Sequence, residues 1–286
     1  MKTIGIIAPS RHLGEYKDIF NFGVDRLRRE GFNIVMAPNV YEVDNNSAGS
    51  IEQRIAGLDQ ILLNDDIDVV MCTLGGDSAN HLLDRIDWSV YSKLNKILIG
   101  YSDVTHLLLA FQKKTDLKLY YGPHIKDISS LTNESFGVLT TFIDTGGLLW
   151  PDDFQVVRSG KVIGELYGGN LFVVNNMLAT DYVDDFSGRV LFWEDVDDGL
   201  SAVEYQLYQM RLHGVFSRIK GMMVGNVVGD DIDNNNLAEI ILDAARGFDF
   251  PIVKVDWFGH EVNDFRVVPY GGKVMIDIVE DKLELM

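Results

Sequence analysis

The chain has 286 residues, 47% of them hydrophobic, and carries 43 acidic against 25 basic side chains, a formal net charge of −18. That length and apolar content suffice for about two packed domains, and the acidic excess excludes a phosphate-backbone partner such as nucleic acid, whose binders present a basic face. A single cysteine, Cys72, rules out an internal disulfide and fits a reducing, cytoplasmic setting, and no run reaches the roughly 20 apolar residues of a membrane helix.

The start, Met1 to Ser10, reads as a first strand, because its apolar stretch is too short for a signal-peptide core. Phe20, Val24 and Leu27 then recur at helical spacing up to Gly31, and Phe32 to Ala37 makes a second strand. Ser50 and Gln53 have capping-box spacing at the head of a helix whose apolar face is Ile51, Ile55, Leu58 and Leu62. Val69 to Leu74 is a third strand, and a helix carrying Leu82, Leu83 and Ile86 is expected after it. Lys96 to Gly100 is a further buried strand, running straight into the apolar helix Val104 to Phe111. Strand and helix thus alternate through the first 125 or so residues, the pattern of a parallel sheet with crossover helices. The alternation fades between Thr132 and Lys161, where Gly146-Gly147 and Pro151 act as breakers. The second half is less regular, with strand-like runs at Arg189 to Trp193, Gly221 to Gly225, Lys254 to Trp257 and Lys273 to Ile278 and a helix over Leu237 to Ala245. The expected fold is α/β: a parallel-sheet, flavodoxin-like N-terminal domain (1–145), a linker (146–160) and a smaller, mixed β/α C-terminal domain (161–286).

Two turns in the first domain could carry chemistry. Gly75-Gly76-Asp77-Ser78-Ala79-Asn80 follows a strand; its glycines either serve a tight turn or let backbone amides approach a ligand. It matches neither a Walker loop nor G-x-G-x-x-G, so no nucleotide cofactor is expected. Tyr101-Ser102-Asp103 lies between a strand and a helix, where a serine is either an N-cap or a nucleophile raised above the sheet edge beside free helix amides. Val104 stands where a G-x-S-x-G elbow has its second glycine, which disfavours an α/β-hydrolase fold. A nucleophilic serine needs a base and a group to orient it. Of six histidines, His106 reads as structural, His12, His81 and His213 lack a partner by pattern, and His124 competes with His260, which follows a strand and Gly259. For the acid, Glu194-Asp195 at the end of an apolar strand and Glu165 remain open. Asp230 to Asn236 lacks the glycine and glutamate of a calcium loop and reads as a solvated lead into a helix, and with no zinc spacing and no H-E-x-x-H, no metal is expected.

In this order and spacing, Gly100-Tyr101-Ser102-Asp103, Gly168-Gly169-Asn170-Leu171, Leu191-Phe192-Trp193-Glu194-Asp195 and Gly259-His260 resemble the LD-carboxypeptidase family of serine peptidases over nearly the whole chain. The Gly75 to Asn80 turn is more similar to the branch that includes the microcin C immunity peptidase. The resemblance implies Ser102 as nucleophile in the first domain, Glu194 as orienting acid and His260 as general base in the second, and amides at Gly76 and Asp103 as the oxyanion hole. It implies a serine carboxypeptidase, without cofactor, that hydrolyses an amide bond in a small peptide or peptidyl conjugate of the murein LD-tetrapeptide type. An amidase that detoxifies aminoacyl-nucleotide adducts is the neighbouring alternative, and a two-lobed, non-catalytic small-molecule binder the alternative of another class. Family resemblance and the frequency of two-fold assemblies point to a homodimer.

Overall fold

The structure is a computed structural model that describes residues 2–196, 199–278, 280 and 282–286. The chain forms two compact units, Met1–Leu149 with Asn263–Val267, and Trp150–Val262 with Val268–Met286.

In the first unit, strands β1 (Thr3–Ile7), β2 (Asn33–Met36), β3 (Val69–Cys72), β4 (Ile97–Gly100) and β5 (Lys118–Tyr121) are all parallel, in the order β5-β4-β3-β1-β2. The middle strands are near-continuous apolar runs, with Ile4, Ile6, Val69, Val70, Leu98 and Ile99 fully buried, as a sheet covered on both faces requires. Helices α1 (Lys17–Arg29), α2 (Ile51–Leu62), α3 (Thr105–Lys114) and α4 (Asn133–Thr145) supply that cover. The capping box of α2 forms: Ser50 Oγ accepts from the Gln53 amide at 3.3 Å, and Gln53 Oε1 accepts from the Ser50 amide at 2.8 Å. The strand order reverses between β1 and β3, and the turns after β1, β3 and β4 emerge side by side at the carboxyl ends of the strands, where open α/β sheets place ligands.

The helix expected after Gly75-Gly76 is only a 3-10 turn, Ala79–Leu82, followed by irregular chain. Leu82, Leu83 and Ile86 are buried all the same. Apolar spacing registers burial, which a folded-back turn satisfies as well as a helix does.

In the second unit, β6 (Gln155–Arg158), β7 (Lys161–Asn170), α5 (Leu171–Met177), β8 (Val190–Val196), α6 (Leu200–Leu212), β9 (Gly221–Val228), α7 (Asn234–Ala244), β10 (Ile252–Lys254), β11 (Lys273–Asp277) and β12 (Lys282–Leu285) build a mixed sheet in the order β12-β11-β7-β8-β9-β10-β6. Its inner four strands are parallel, and the flanking ones antiparallel. This is more regular than the sequence suggests. Residues 155–158, within the stretch read as a linker, pair with β10, and the strand expected at Lys254 to Trp257 lies instead at Ile252–Lys254. Asp233 caps α7 through the amides of Asn235 and Asn236, so the polar run from Asp230 leads into a helix. Among the described residues, no helix is long and apolar enough to cross a membrane.

Between β8 and β9 the register slips: Trp193 faces Val224 but Asp195 faces Val227, which leaves an extra residue on β9 opposite Glu194. Such bulges re-aim the chain beside functional sites.

Candidate active site

Ser102 is not an N-cap. The caps of the 3-10 turn Ser102–Val104 and of α3 are Tyr101 and Val104, neither of which bonds through its side chain. Ser102 itself has φ +57, a left-handed conformation that costs a non-glycine residue roughly 1–2 kcal/mol. The turn closes over two glycines. A Cβ on Gly75 would lie 2.9 Å from Ser102 Oγ, and one on Gly100 would lie 2.7 Å from Val104 Cγ1. The Ser102 amide donates to the Tyr121 hydroxyl at 3.2 Å. Gly76 has φ +146, and a Cβ there would meet Ser10 Oγ at 2.5 Å. Among the described residues, the amides of Gly76 and Asp103 donate to no protein acceptor.

Asp103 is 4% exposed, yet its carboxylate is richly bonded. Oδ2 accepts from the Ser10 hydroxyl and from the amides of Ser78 (3.0 Å) and Ala79 (2.8 Å), while Oδ1 lies 3.0 Å from His106 Nδ1. Burial pushes this carboxyl up, but the bonds and charge from His106, with those from Ser10 and the Ala79 amide, outweigh it and hold the group below its ordinary value.

In the second unit, Glu194 is fully buried at the β8 end of the bulge. Its Oε2 accepts from His260 Nδ1 at 2.6 Å and from the His260 amide at 3.1 Å, and its Oε1 from Asn170 Nδ2 at 3.3 Å. A carboxylate against Nδ1 requires the proton on Nδ1 and leaves the lone pair on Nε2, the tautomer a general base needs. The backbone is built to permit this. Gly259 has φ +115, and a Cβ there would sit 2.9 Å from Glu194 Cβ and 3.1 Å from the Asn226 carbonyl. Asn226, on the bulged strand, donates its amide to the Phe258 carbonyl (2.9 Å) and its side chain to the His260 carbonyl (2.8 Å).

The competing residues separate on geometry. Glu165 lies on an exposed position of β7. Asp195 bonds Asn170 Nδ2, Gln206 Nε2 and the Val196 amide. His124 is buried, with its Nε2 accepting from the Tyr101 amide at 3.2 Å and its ring 4.3 Å from that of Tyr101, so the nitrogen a base would use is engaged by backbone. His106 is turned to Asp103. Sequence reasoning missed Asn170 as the residue that caps α5 through Oδ1 and joins Glu194 and Asp195 through Nδ2. An asparagine between a strand and a helix was the available signal. It also missed Asn226 and Ser10, which no motif marks, and the side-chain role of Asp103, which the Tyr101-Ser102-Asp103 turn contains.

Two family models match the chain: the LD-carboxypeptidase N-terminal domain over residues 4–122 and the LD-carboxypeptidase C-terminal domain over residues 163–276. Among curated relatives, the Microcin C7 self-immunity protein MccF of Escherichia coli is 27% identical over 91% of this chain and 86% of its own. A Bacillus subtilis protein named "Probable murein peptide carboxypeptidase" is 29% identical over 78% of this chain and 71% of its own. A solved structure of MccF in complex with glutamyl sulfamoyl guanosine superposes with a TM-score of 0.88 at 23% identity, covering 100% of this chain and 96% of the other.

Proposed function

The chain belongs to the LD-carboxypeptidase family, and on that footing we propose that it is a serine carboxypeptidase that hydrolyses an amide bond in a small peptide or peptidyl conjugate of the murein tetrapeptide type. The observation that carries this reading is the 2.6 Å bond from His260 Nδ1 to the fully buried Glu194 carboxylate. An oriented, carboxylate-backed imidazole is the base that a serine requires.

In the proposed reaction, His260 Nε2 takes the proton of Ser102 as the Ser102 oxygen adds to the scissile carbonyl. The negative charge that develops on the carbonyl oxygen is received by the amides of Gly76 and Asp103. His260, held as an imidazolium by Glu194, returns the proton to the leaving amine, and water then hydrolyses the acyl-enzyme by the same route. Ser102's strained turn and its glycine neighbours support the nucleophilic role, since a merely capping serine has no need of φ +57. The murein-type substrate rests on the relative whose name carries that activity.

A second reading, amide cleavage in an aminoacyl-nucleotide conjugate, is favoured by the similarity to MccF over 91% of the chain. Mass-spectrometric turnover of a murein tetrapeptide and of an aminoacyl-sulfamoyl adenosine, by wild type and Ser102→Ala, tests both. Release of the terminal D-residue, abolished in the variant, supports the first reading; cleavage of only the conjugate transfers the protein to the second. Tight binding of either compound without turnover refutes both in favour of a non-catalytic binder.

A further inference from the structure

We propose that the side chain of Asp103, together with Ser10, is a positioning device for the reaction: it sets the Gly76 amide relative to the Ser102 turn, so that the two oxyanion donors act as one preformed unit. This inference rests on the serine-peptidase reading and goes beyond the backbone amide that reading gives to Asp103.

Three separate turns must be held in register for two amides from different loops to converge on one oxygen atom. The turn after β1 contributes Ser10, the turn after β3 contributes Gly76, Ser78 and Ala79, and the turn after β4 contributes Ser102 and Asp103. The first two are already joined: the Arg11 amide donates to the Gly75 carbonyl at 3.2 Å, and the buried Arg54 guanidinium donates to the carbonyls of Pro9 (3.0 Å) and Ser78 (2.8 Å). The third is tied to both through Asp103 Oδ2, which gathers the Ser10 hydroxyl and the amides of Ser78 and Ala79. Ser10 is fully buried, and its hydroxyl packs on Gly76 so closely that a Cβ there would lie 2.5 Å away. It therefore touches the glycine on one side and the carboxylate on the other.

The arrangement is more than a cap on a short helical turn. A carboxylate that is 4% exposed is retained only where its charge is compensated, and here the donors that compensate it come from the loops it must align. His106 Nδ1 on Oδ1 fixes the rotation of the carboxyl group, leaving Oδ2 for the other loops. Because Asp103 follows the proposed nucleophile directly, losing the bonds from its carboxylate to the Ser78 and Ala79 amides frees the turn that carries Gly76 from the turn that carries Ser102. Oxyanion donors stabilise the transition state more than the bound substrate, so losing the alignment lowers kcat and leaves KM nearly unchanged.

The test compares wild type, Asp103→Asn and Ser10→Ala, with Ser102→Ala as the blank. It measures kcat and KM on the murein tetrapeptide, the rate of labelling by a fluorophosphonate, and the Tm of each protein. In the labelling step the Ser102 oxygen forms a bond to phosphorus and fluoride leaves, the proton passing to His260, so the phosphoryl oxygen probes the oxyanion donors. The inference expects Asp103→Asn to lower kcat and labelling by roughly 10- to 100-fold with KM within about threefold, and Ser10→Ala to lower both by roughly 3- to 10-fold with a Tm lower by only several degrees, so that the protein stays folded at the assay temperature. Wild-type kcat and labelling rates in folded Ser10→Ala overturn it, even if Asp103→Asn fails to fold. A fall in kcat that follows only the loss of folded protein also overturns it. Folded wild type that is neither labelled nor active refutes the serine-peptidase reading itself and this inference with it, an outcome distinct from an active wild type with indifferent variants.

Discussion

In the first unit, the serine is prepared by backbone: it sits at φ +57, against Gly75, in a turn tied to two others by a buried carboxylate. In the second unit, the histidine is prepared by a side chain: Glu194, fully buried in the sheet, meets both its Nδ1 and its amide. A nucleophile has to be raised clear of the strand that carries it, which needs a strained turn and room. A base has to keep one tautomer and one ring orientation, which needs a fixed acceptor. The two regions therefore fail in different ways when altered, and that difference is open to test.

The largest expected effect is chemical and belongs to the first region. Ser102→Ala should reduce peptide turnover by several orders of magnitude, because in the proposed mechanism it removes the attacking oxygen. Glu194→Gln should come next, with a loss of roughly 10⁴-fold in kcat, because the amide no longer enforces the proton on Nδ1. A loss under tenfold would mean that Glu194 is a structural carboxylate and that the second region does not prepare a base.

Gly259→Ala probes the backbone of the second region. Its Cβ would enter the space of Glu194 and the Asn226 carbonyl, so we expect a loss of about 1–3 kcal/mol of stability together with a roughly tenfold to hundredfold drop in kcat from the displaced imidazole. Equal stability and activity in the variant would show that the glycine is not needed to admit the carboxylate.

A pH experiment sharpens the comparison from the side of the first region. The Asp103 carboxyl is held below its ordinary value of 3.8, burial being outweighed by the bonds and charge from His106 and the bonds from Ser10 and the Ala79 amide. A group whose folded pKa is depressed contributes stability above its unfolded pKa and loses it as pH falls through the folded value. The wild-type Tm should therefore decline as pH drops below 3.8, and Asp103→Asn should show a shallower decline over the same window by calorimetry. Parallel curves would remove Asp103 from the acid response.

The smallest effect expected is none. The Cys72 thiol is fully buried, and burial pushes its pKa far up, so a thiol-alkylating reagent should leave the folded protein unmodified and fully active while a fluorophosphonate inactivates it. Inactivation by the thiol reagent would place a reactive group where neither region has one.

Much of this was open to reading in the chain. The parallel sheet of the first unit follows from short apolar runs alternating with amphipathic segments, and the capping box at Ser50 and Gln53 is local chemistry, complete within four residues. The second unit is less legible in the chain, because its pattern mixes exposed and buried faces: β7 alternates at first and then becomes buried on both sides. The helix expected near Leu82 failed for the opposite reason, since a 3-10 turn can bury the same leucines.

The sequence by itself determined the alternation of elements in the first unit and the motifs around Ser102, Glu194 and His260, because these depend on neighbours a few positions apart. Only the tertiary structure separates the candidates by contact: Glu194 meets His260, Asp195 bonds Asn170 and Gln206, Glu165 is exposed, and His124 Nε2 accepts from the Tyr101 amide. Those choices turn on which side chain meets which across a register slip or a loop, as when Glu194 reaches His260 from 66 positions away. Spacing along a chain carries no record of such distances, because strand pairing and loop closure set them, and both are products of the packed core rather than of any segment within it.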